Sequence, residues 1–514
     1  MRLCGQAAGR VIRVMPTATV TVCFDEPIAT IRPELHGQFA EHLGGCVYGG
    51  LWVGPDSKIA NDRGLRSDVL DALQKISVPV IRWPGGCFAD DYHWEDGIGP
   101  PVDRPRRFNA WWGHDVEDNS FGTHEFLRLC ELLGAKPYLA GNVGSGTPRE
   151  LKQWVEYCNF PGDTTLTRRR KSNGREDLFD VQYWGVGNES WGCGGNMCPE
   201  DYAAAYKRYA TFVQTFARTP TKMPLFLVAC GPNGNDADWT RRFFKKAGKP
   251  GGDWALHGYA AHYYSGTAGT ATEYDADQWL TLLHKAAGVE KLVLEQRALM
   301  DEFDPRRNIG LIVDEWGTWH PATPGKPANH LWQQNTLRDA LVAAISLDVF
   351  HRHADKVVMA NIAQIVNVLQ SMILTEEDRM LLTPTYHVFD LYQSHQGGTA
   401  VRLDVQSRDV KFASVDQMLS MPAIAGSASV KAGRFTLTLT NAQTSRLAEV
   451  SIDLRGRSLK NVTVHTIADA DLTAHNTFDQ PGLVVPAKSM ADVPGSMWTV
   501  DLPPASVNVI HADL

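Results

Sequence analysis

The sequence predicts an α/β protein, a (β/α)8 TIM barrel followed by a C-terminal all-β sandwich of jelly-roll-like texture. Three observations predict it. Eight short runs rich in Val, Ile, Leu and aromatic residues are spread over residues 35–385. Amphipathic helical patterns separate them, the rhythm of a parallel sheet with crossovers, and eight such units favour a closed barrel over an open sheet. Near residue 386 the pattern changes to alternation of polar and apolar residues, which marks half-buried antiparallel strand.

Residues 1–34 hold one strand, in which Val20, Val22 and Phe24 recur at every second position. Such a strand needs a sheet to bury one face and does not fit the barrel rhythm, so it is expected to pair with the C-terminal sandwich. The barrel strands are read at Leu35–Phe39, Val78–Trp83, Pro137–Asn142, Val181–Val186, Leu225–Cys230, Leu256–His262, Leu311–Glu315 and Val357–Asn361. Between them, Phe126, Leu129, Cys130 and Leu133 share one helical face, and Gly134 ends that helix. Thr147-Pro148-Arg149-Glu150 opens the next with an N-cap, a first-turn proline and a glutamate three residues on. Further helices are read near 64–77, 199–217, 236–248, 274–287 and 330–352. In the sandwich, residues 386–514, Phe435, Leu437 and Leu439 face one way and the intervening threonines the other; Val462 with Val464, and Val507 with Val509, repeat the pattern.

Of 514 residues, 43% are hydrophobic and 21% charged, a balance that excludes disorder and permits a large core. The net charge of −8 suits a neutral or polar partner and argues against nucleic acid. No apolar run approaches the ~18 residues of a membrane span, so no membrane partner is expected. The first twenty residues lack a compact apolar stretch before a small-residue cleavage site, so no signal peptide is read and a cytoplasmic location is expected. Nine cysteines, an odd count scattered over a large chain, read as reduced thiols. Cys193 and Cys198 lack CxxC spacing, and neither they nor Cys87 are expected to bind metal or act as nucleophiles. Walker A, G-x-S-x-G and complete G-x-G-x-x-G patterns are missing, so no cofactor or metal is expected. Arg168-Arg-Arg-Lys171 reads as a solvated loop or subunit contact at the bottom of the barrel, and His351-Arg-His353 as part of an amphipathic helix.

Chemistry in such a barrel belongs at the C-terminal ends of the strands. Glu189 follows the fourth apolar run and Glu315 ends the seventh. A carboxylate there is unfavourable unless it is hydrogen-bonded or working. Two carboxylates flanking one bond are the equipment of glycoside hydrolysis, one as a protonated acid and one as an anion that attacks the anomeric carbon. Trp94, Trp111, Trp316 and Trp319 offer stacking faces for a sugar, and loop packing is the alternative for each.

Four segments then resemble glycoside hydrolase family 51, known for α-L-arabinofuranosidases: Arg82-Trp-Pro-Gly-Gly-Cys-Phe-Ala-Asp90, Trp94-Glu-Asp-Gly-Ile-Gly-Pro100, Gly185-Val-Gly-Asn-Glu-Ser-Trp-Gly-Cys-Gly-Gly-Asn196 and Val313-Asp-Glu-Trp316. The resemblance implies a retaining, exo-acting enzyme that releases arabinofuranosyl groups from arabinose-containing oligo- or polysaccharides. It implies Glu189 as acid/base and Glu315 as nucleophile. It also implies substrate contacts from Glu41, Asn188, His262, Tyr264, Trp111, Trp319 and Gln364, with Arg82 orienting the nucleophile. Cys87 stands where many members carry Asn, and Ser190 where many carry Met; Cys87 is counted with the substrate-binding positions. A homo-oligomer, a hexamer by analogy, is implied as well. A β-xylosidase or endo-β-glucanase on the same scaffold, or a silent carbohydrate-binding protein, are the alternatives.

Overall fold

The computed structural model describes residues 17–216, 224–415, 417–493 and 495–514. Most of the N-terminal stretch read above for a signal peptide, and the end of the stretch 199–217, lie outside these residues. Leaving aside short hairpins within loops, the strands are numbered in chain order. After β1 (Ala18–Thr30) come β2 (Gly37–Phe39), β3 (Val80–Trp83), β4 (Lys136–Gly141), β5 (Tyr183–Val186), β6 (Phe226–Asn233), β7 (Gly258–Tyr264), β8 (Gly310–Gly317) and β9 (Val357–Ala363). Strands β2 to β9 close a barrel in chain order, every neighbouring pair parallel, with β9 returning to β2. This is the barrel that the apolar rhythm predicts. Strand β2 is shorter than the run that predicts it because Pro33–His36 winds into a 3-10 turn that still buries Leu35.

The lumen is plugged from below. Val80, Tyr138, Tyr183, Val228, Ala260, Ile312 and Met359, one from each of seven strands, form a separate buried cluster. The polar groups at the strand ends lie above this plug, at the upper rim. One irregularity matters there. Ala261 pairs with Val313, but His262 pairs with Glu315, so Asp314 is an extra residue on β8. Successive side chains of a regular strand point to opposite faces. The bulge breaks that rule and lets adjacent Asp314 and Glu315 both reach Arg82.

Among the described residues three α-helices lie where no helical pattern is read, Thr165–Ser172, Val289–Phe303 and Pro384–Tyr392. The first contains the Arg168–Lys171 run, which is therefore not a solvated loop. Arg168 pairs with Asp163 at 2.6 Å, Arg169 with Glu95 and Lys171 with Glu176. Arg170 is buried and donates to the Tyr157 carbonyl at 2.8 Å. Consecutive cations hide the helix because its one buried cation is satisfied by backbone oxygen rather than by an apolar face. His351 is also buried, its Nε2 3.0 Å from His36 Nε2 and its Nδ1 3.1 Å from Ser427 Oγ, where the helix Leu337–Arg352 meets the C-terminal sheet.

That sheet comprises β10 (Thr399–Ser407), β11 (Ile424–Lys431), β12 (Arg434–Asn441), β13 (Ala448–Asp453), β14 (Lys460–Ile467), β15 (Ala487–Met490), β16 (Met497–Leu502) and β17 (Ser506–Asp513). Its order is β15-β14-β17-β12-β11-β10-β1-β13-β16, with β1 antiparallel to β10 and parallel to β13. Side chains from both ends of this order, Val464 on β14 and Ile452 on β13, share one core with Val20 and Val22, so the sheet folds over itself. The first strand after the barrel starts at Thr399, not 386, because Pro384–Tyr392 is a buried helix. As β1 is an interior strand, Val22→Ala should lower unfolding stability in urea by about 1–3 kcal/mol, with the slope against denaturant unchanged.

Candidate active site

Each strand end brings a polar group to the rim, and Arg82 at the end of β3 gathers several of them. Its guanidinium donates to Glu315 Oε1 at 2.7 Å and to Asn188 Oδ1, and lies 3.3 Å from Asp314 Oδ2. Its face lies 4.6 Å from the Phe39 ring centroid. Asp314 is held in turn by the Tyr138 hydroxyl at 2.9 Å and the Asn361 amide at 2.8 Å. Burial works against the Arg82 charge, but Asp314 and Glu315 more than compensate and hold the guanidinium firmly protonated.

Glu315 is buried and accepts from the Tyr264 hydroxyl at 2.9 Å on its other oxygen. Burial alone would raise its carboxyl; the charges of His262 and Arg82 and the bonds from Arg82 and Tyr264 overcome this and hold it below its ordinary range. It is therefore an anion at neutral pH. His262 sits between the two glutamates, its Nδ1 2.8 Å from Glu189 Oε1 and 3.5 Å from Glu315 Oε2. Burial presses this imidazole toward its neutral form, but the Glu315 charge and the bond to Glu189 raise it above its usual value. One oxygen of each glutamate and a His262 nitrogen all lie within 4.8 Å of one another.

Glu41, just beyond β2, forms a second polar centre. Its Oε1 accepts from the backbone N–H of Gly86 at 2.8 Å, that of Phe88 at 3.2 Å and the Trp112 indole at 3.0 Å. Its Oε2 accepts from Gln364 at 3.0 Å. Burial, and then the charge of nearby Glu315, push this carboxyl up to about 7 against those donors. The close approach explains the glycine pair at the end of β3. A Cβ on Gly85 would lie 2.5 Å from Glu41 Cγ, and one on Gly86 would lie 2.9 Å from Glu315 Oε1.

The pocket between these centres is small, about 50 Å3, and lined by Glu41, Asn188, Glu189, Glu315, Tyr264 and Gln364 together with Cys87, Trp112 and Trp319. Arg82 and His262 stand behind this lining. The tryptophans divide differently from the sequence expectation. Trp319 is 37% exposed and meets Tyr264 edge to face at 5.2 Å. Trp112, not Trp111, bonds Glu41; Trp111 lines a separate neighbouring cavity. Trp94 donates to the Glu150 carbonyl within the core, and Trp316 packs on Phe350 and Phe389, so both are core residues rather than stacking faces.

The cysteines also depart from the reading of reduced thiols. Cys87 and Cys193 form a disulfide, Cα atoms 5.4 Å apart, across a sequence separation of 106 residues. It joins the loop after β3 to the loop after Glu189, and Cys193 Sγ lies 3.7 Å from Glu189 Oε2. The other cysteines described are free. Asp90 is a further buried residue that the sequence reading missed. It accepts from the backbone N–H groups of Val143 (2.8 Å), Gly144 (3.1 Å) and Asn188 (2.9 Å), tying three rim loops together. Its only sequence signal is its place inside the Arg82–Asp90 segment.

The raised Glu41 carboxyl makes stability depend on pH. Between about 4.5 and about 7 the unfolded chain releases this proton while the folded chain keeps it, so stability falls as pH rises through that window and levels off above it. Gln364 Oε1 has no partner among the described residues and is free to accept from a new amide at position 41. Glu41→Gln should therefore unfold at higher urea than wild type at pH 8 relative to pH 5, a relative gain of about 2–3 kcal/mol. A difference between the two proteins that is flat with pH contradicts this.

Residues 72–279 match the family model described as alpha-L-arabinofuranosidase 1 domain, and residues 314–506 match the alpha-L-arabinofuranosidase C-terminal domain. The chain is 46% identical over 482 residues to an intracellular exo-alpha-L-arabinofuranosidase of Bacteroides ovatus, covering 94% of this chain and 92% of that one. The crystal structure of the GH51 arabinofuranosidase from Xanthomonas axonopodis pv. citri superposes with a TM-score of 0.91 at 42% identity, over 97% of this chain and all (100%) of that one. An arabinose complex of the Thermotoga maritima alpha-L-arabinofuranosidase superposes with a TM-score of 0.85 at 31% identity, over 97% and 100% of the two chains. Barrel, rim and these likenesses together assign the chain to glycoside hydrolase family 51, the family of α-L-arabinofuranosidases.

Proposed function

We propose that this protein is a retaining, exo-acting α-L-arabinofuranosidase that removes terminal arabinofuranosyl groups from branched oligo- or polysaccharides by double displacement. The observation that carries the reading is the closeness of Glu189 and Glu315, whose nearest oxygens lie within 4.8 Å. Carboxyl groups about 5–5.5 Å apart suit direct attack, whereas ~6.5–9.5 Å leaves room for a water. The small pocket closed by Glu41, Trp112 and Gln364 suits a single terminal sugar better than a chain crossing an open cleft.

In the first step a Glu315 oxygen attacks the anomeric carbon, the glycosidic bond breaks, and the leaving oxygen takes a proton from Glu189. Arg82 and Tyr264 hold Glu315 in line and keep it ionised until the ester forms. In the second step Glu189 removes a proton from water as the water attacks the same carbon, and Glu315 leaves with its charge restored. Asn188, Glu41 and Gln364 are within reach of sugar hydroxyls, and Trp112 and Trp319 offer aromatic walls. A cytoplasmic location is supported by the word "intracellular" in the name of the Bacteroides ovatus relative; among the described residues no helix is long and apolar enough to cross a membrane. A homo-oligomer, a hexamer by family analogy, completes the proposal and is checked by sedimentation velocity.

Glu315→Ala should abolish turnover on every arabinofuranoside. Glu189→Ala should lose far more, by about 10²–10⁴-fold, on poor leaving groups than on nitrophenolate, which needs little protonation. Azide should partly rescue Glu189→Ala and yield an α-configured arabinofuranosyl azide. Equal losses on good and poor leaving groups, or a first-formed product of inverted configuration, would sink the assignment. The Glu189–His262–Glu315 cluster is tight enough to tempt a metal, but Arg82 and Tyr264 already occupy both Glu315 oxygens. Wild-type activity should therefore be unchanged by EDTA; loss with EDTA and recovery with zinc would contradict this.

A further inference from the structure

A larger cavity, about 390 Å3, lies back to back with the catalytic pocket. Cys87 and Trp112 line the catalytic pocket, while their chain neighbours Phe88 and Trp111 line the larger cavity. Two loops, one after β3 and one around Asn109, thus form a shared partition. Asn109 holds that partition. Its Oδ1 accepts from the backbone N–H of Trp111 at 3.2 Å and of Trp112 at 2.9 Å, and its amide donates to the His42 carbonyl at 2.7 Å and to Glu117 at 3.0 Å.

The lining has the chemistry of a sugar site. Phe108 and Trp111 are 62% and 41% exposed, flat apolar faces that the fold leaves uncovered. Asp91, Asp96, Arg107 and Asn119 supply polar groups beside them. Asp96 already pairs with Arg107 at 2.7 Å, the lining His93 pairs with Glu150 at 2.9 Å, and Asp91 adds a further negative charge, so the cavity offers no excess of positive charge to an anionic ligand. Stacking faces next to mixed donors and acceptors fit a neutral ring rich in hydroxyls. The buried Tyr92 hydroxyl, on a residue that also lines the cavity, has no partner among the described residues.

We propose that this cavity is a second saccharide site, which holds a neutral sugar residue of the same branched polysaccharide whose arabinofuranosyl branch enters the catalytic pocket. The proposal rests on the arabinofuranosidase reading above. Its use is to retain a polymer: once one unit is held, the branch beside it meets the catalytic pocket at raised effective concentration.

The test compares two substrates. Nitrophenyl α-L-arabinofuranoside has one sugar and engages the catalytic pocket only, whereas arabinoxylan spans both. Phe108 is exposed and Arg107 more than half exposed, so Phe108→Ala and Arg107→Ala remove no core. Either change should raise KM on arabinoxylan about three- to tenfold, the loss expected for one stacking or polar contact, and leave kcat/KM on the nitrophenyl substrate within about twofold. Wild type should also bind xylotetraose, which carries no arabinofuranosyl group, in a calorimeter, and Phe108→Ala should not. An unchanged KM on arabinoxylan, equal losses on both substrates, or no xylotetraose heat with wild type overturns the proposal. Failure of wild type to cleave the nitrophenyl substrate overturns the enzyme reading instead, and the xylotetraose measurement still decides the second site.

Discussion

Buried among Asp314, Glu315 and Asn188, the Arg82 guanidinium carries the only full positive charge in direct contact with the two carboxylates of β8 among the described residues, His262 aside. Taking such charges out of water is unfavourable by several kcal/mol per ion, on the order given by solvation arguments, unless partners surround them. Here they do. Arg82 answers Asp314 and Glu315, Tyr138 and Asn361 answer Asp314, and Tyr264 answers Glu315. Without the guanidinium two anions would be left in a plugged lumen, and Glu315 would have to take up a proton to remain there. The ionisation of Glu315 is thus a property of three strands, not of the residue.

The same economy of position runs through the rim. Asp90 binds backbone N–H groups from two other loops, and the Cys87–Cys193 disulfide joins the loop bearing the Gly86 and Phe88 donors to the loop that carries Glu189. The elements that hold the pocket-lining groups are tied to each other at the top as well as through the barrel below. Loops so cross-linked lose little further freedom on binding, which favours a site already close to its working geometry.

Much of this was legible in the sequence, for identifiable reasons. Buried parallel strands must be apolar along their whole length, so all eight stood out, and polar residues at their ends, Glu189, His262 and Glu315 among them, contrasted with what preceded them. The alternation of Val20, Val22 and Phe24 was legible for the opposite reason, since Thr19 and Thr21 lie on the other face of a strand with two different faces. Other features depend on contacts that no local pattern encodes. Of two adjacent tryptophans, only the turn held by Asn109 decides that Trp112 meets Glu41. Cys87 and Cys193 are brought together by the barrel across 106 residues, so counting cysteines pointed to free thiols. The helix Thr165–Ser172 shows no apolar stripe because its buried positions are Thr167 and Arg170.

The extra residue on β8 has a consequence for how such a site changes over time. Asp314 and Glu315 are neighbours in the chain and share Arg82, yet their other partners differ, Tyr138 and Asn361 for the first and Tyr264 for the second, and what separates them is strand register rather than side-chain length. Loss of one residue from this stretch would leave a carboxylate in place but restore the regular pleat, turning one of the two away from Arg82. Glu315 therefore has an address written in the backbone. Point substitutions can alter its chemistry, whereas moving it requires an insertion or deletion, a rarer kind of change.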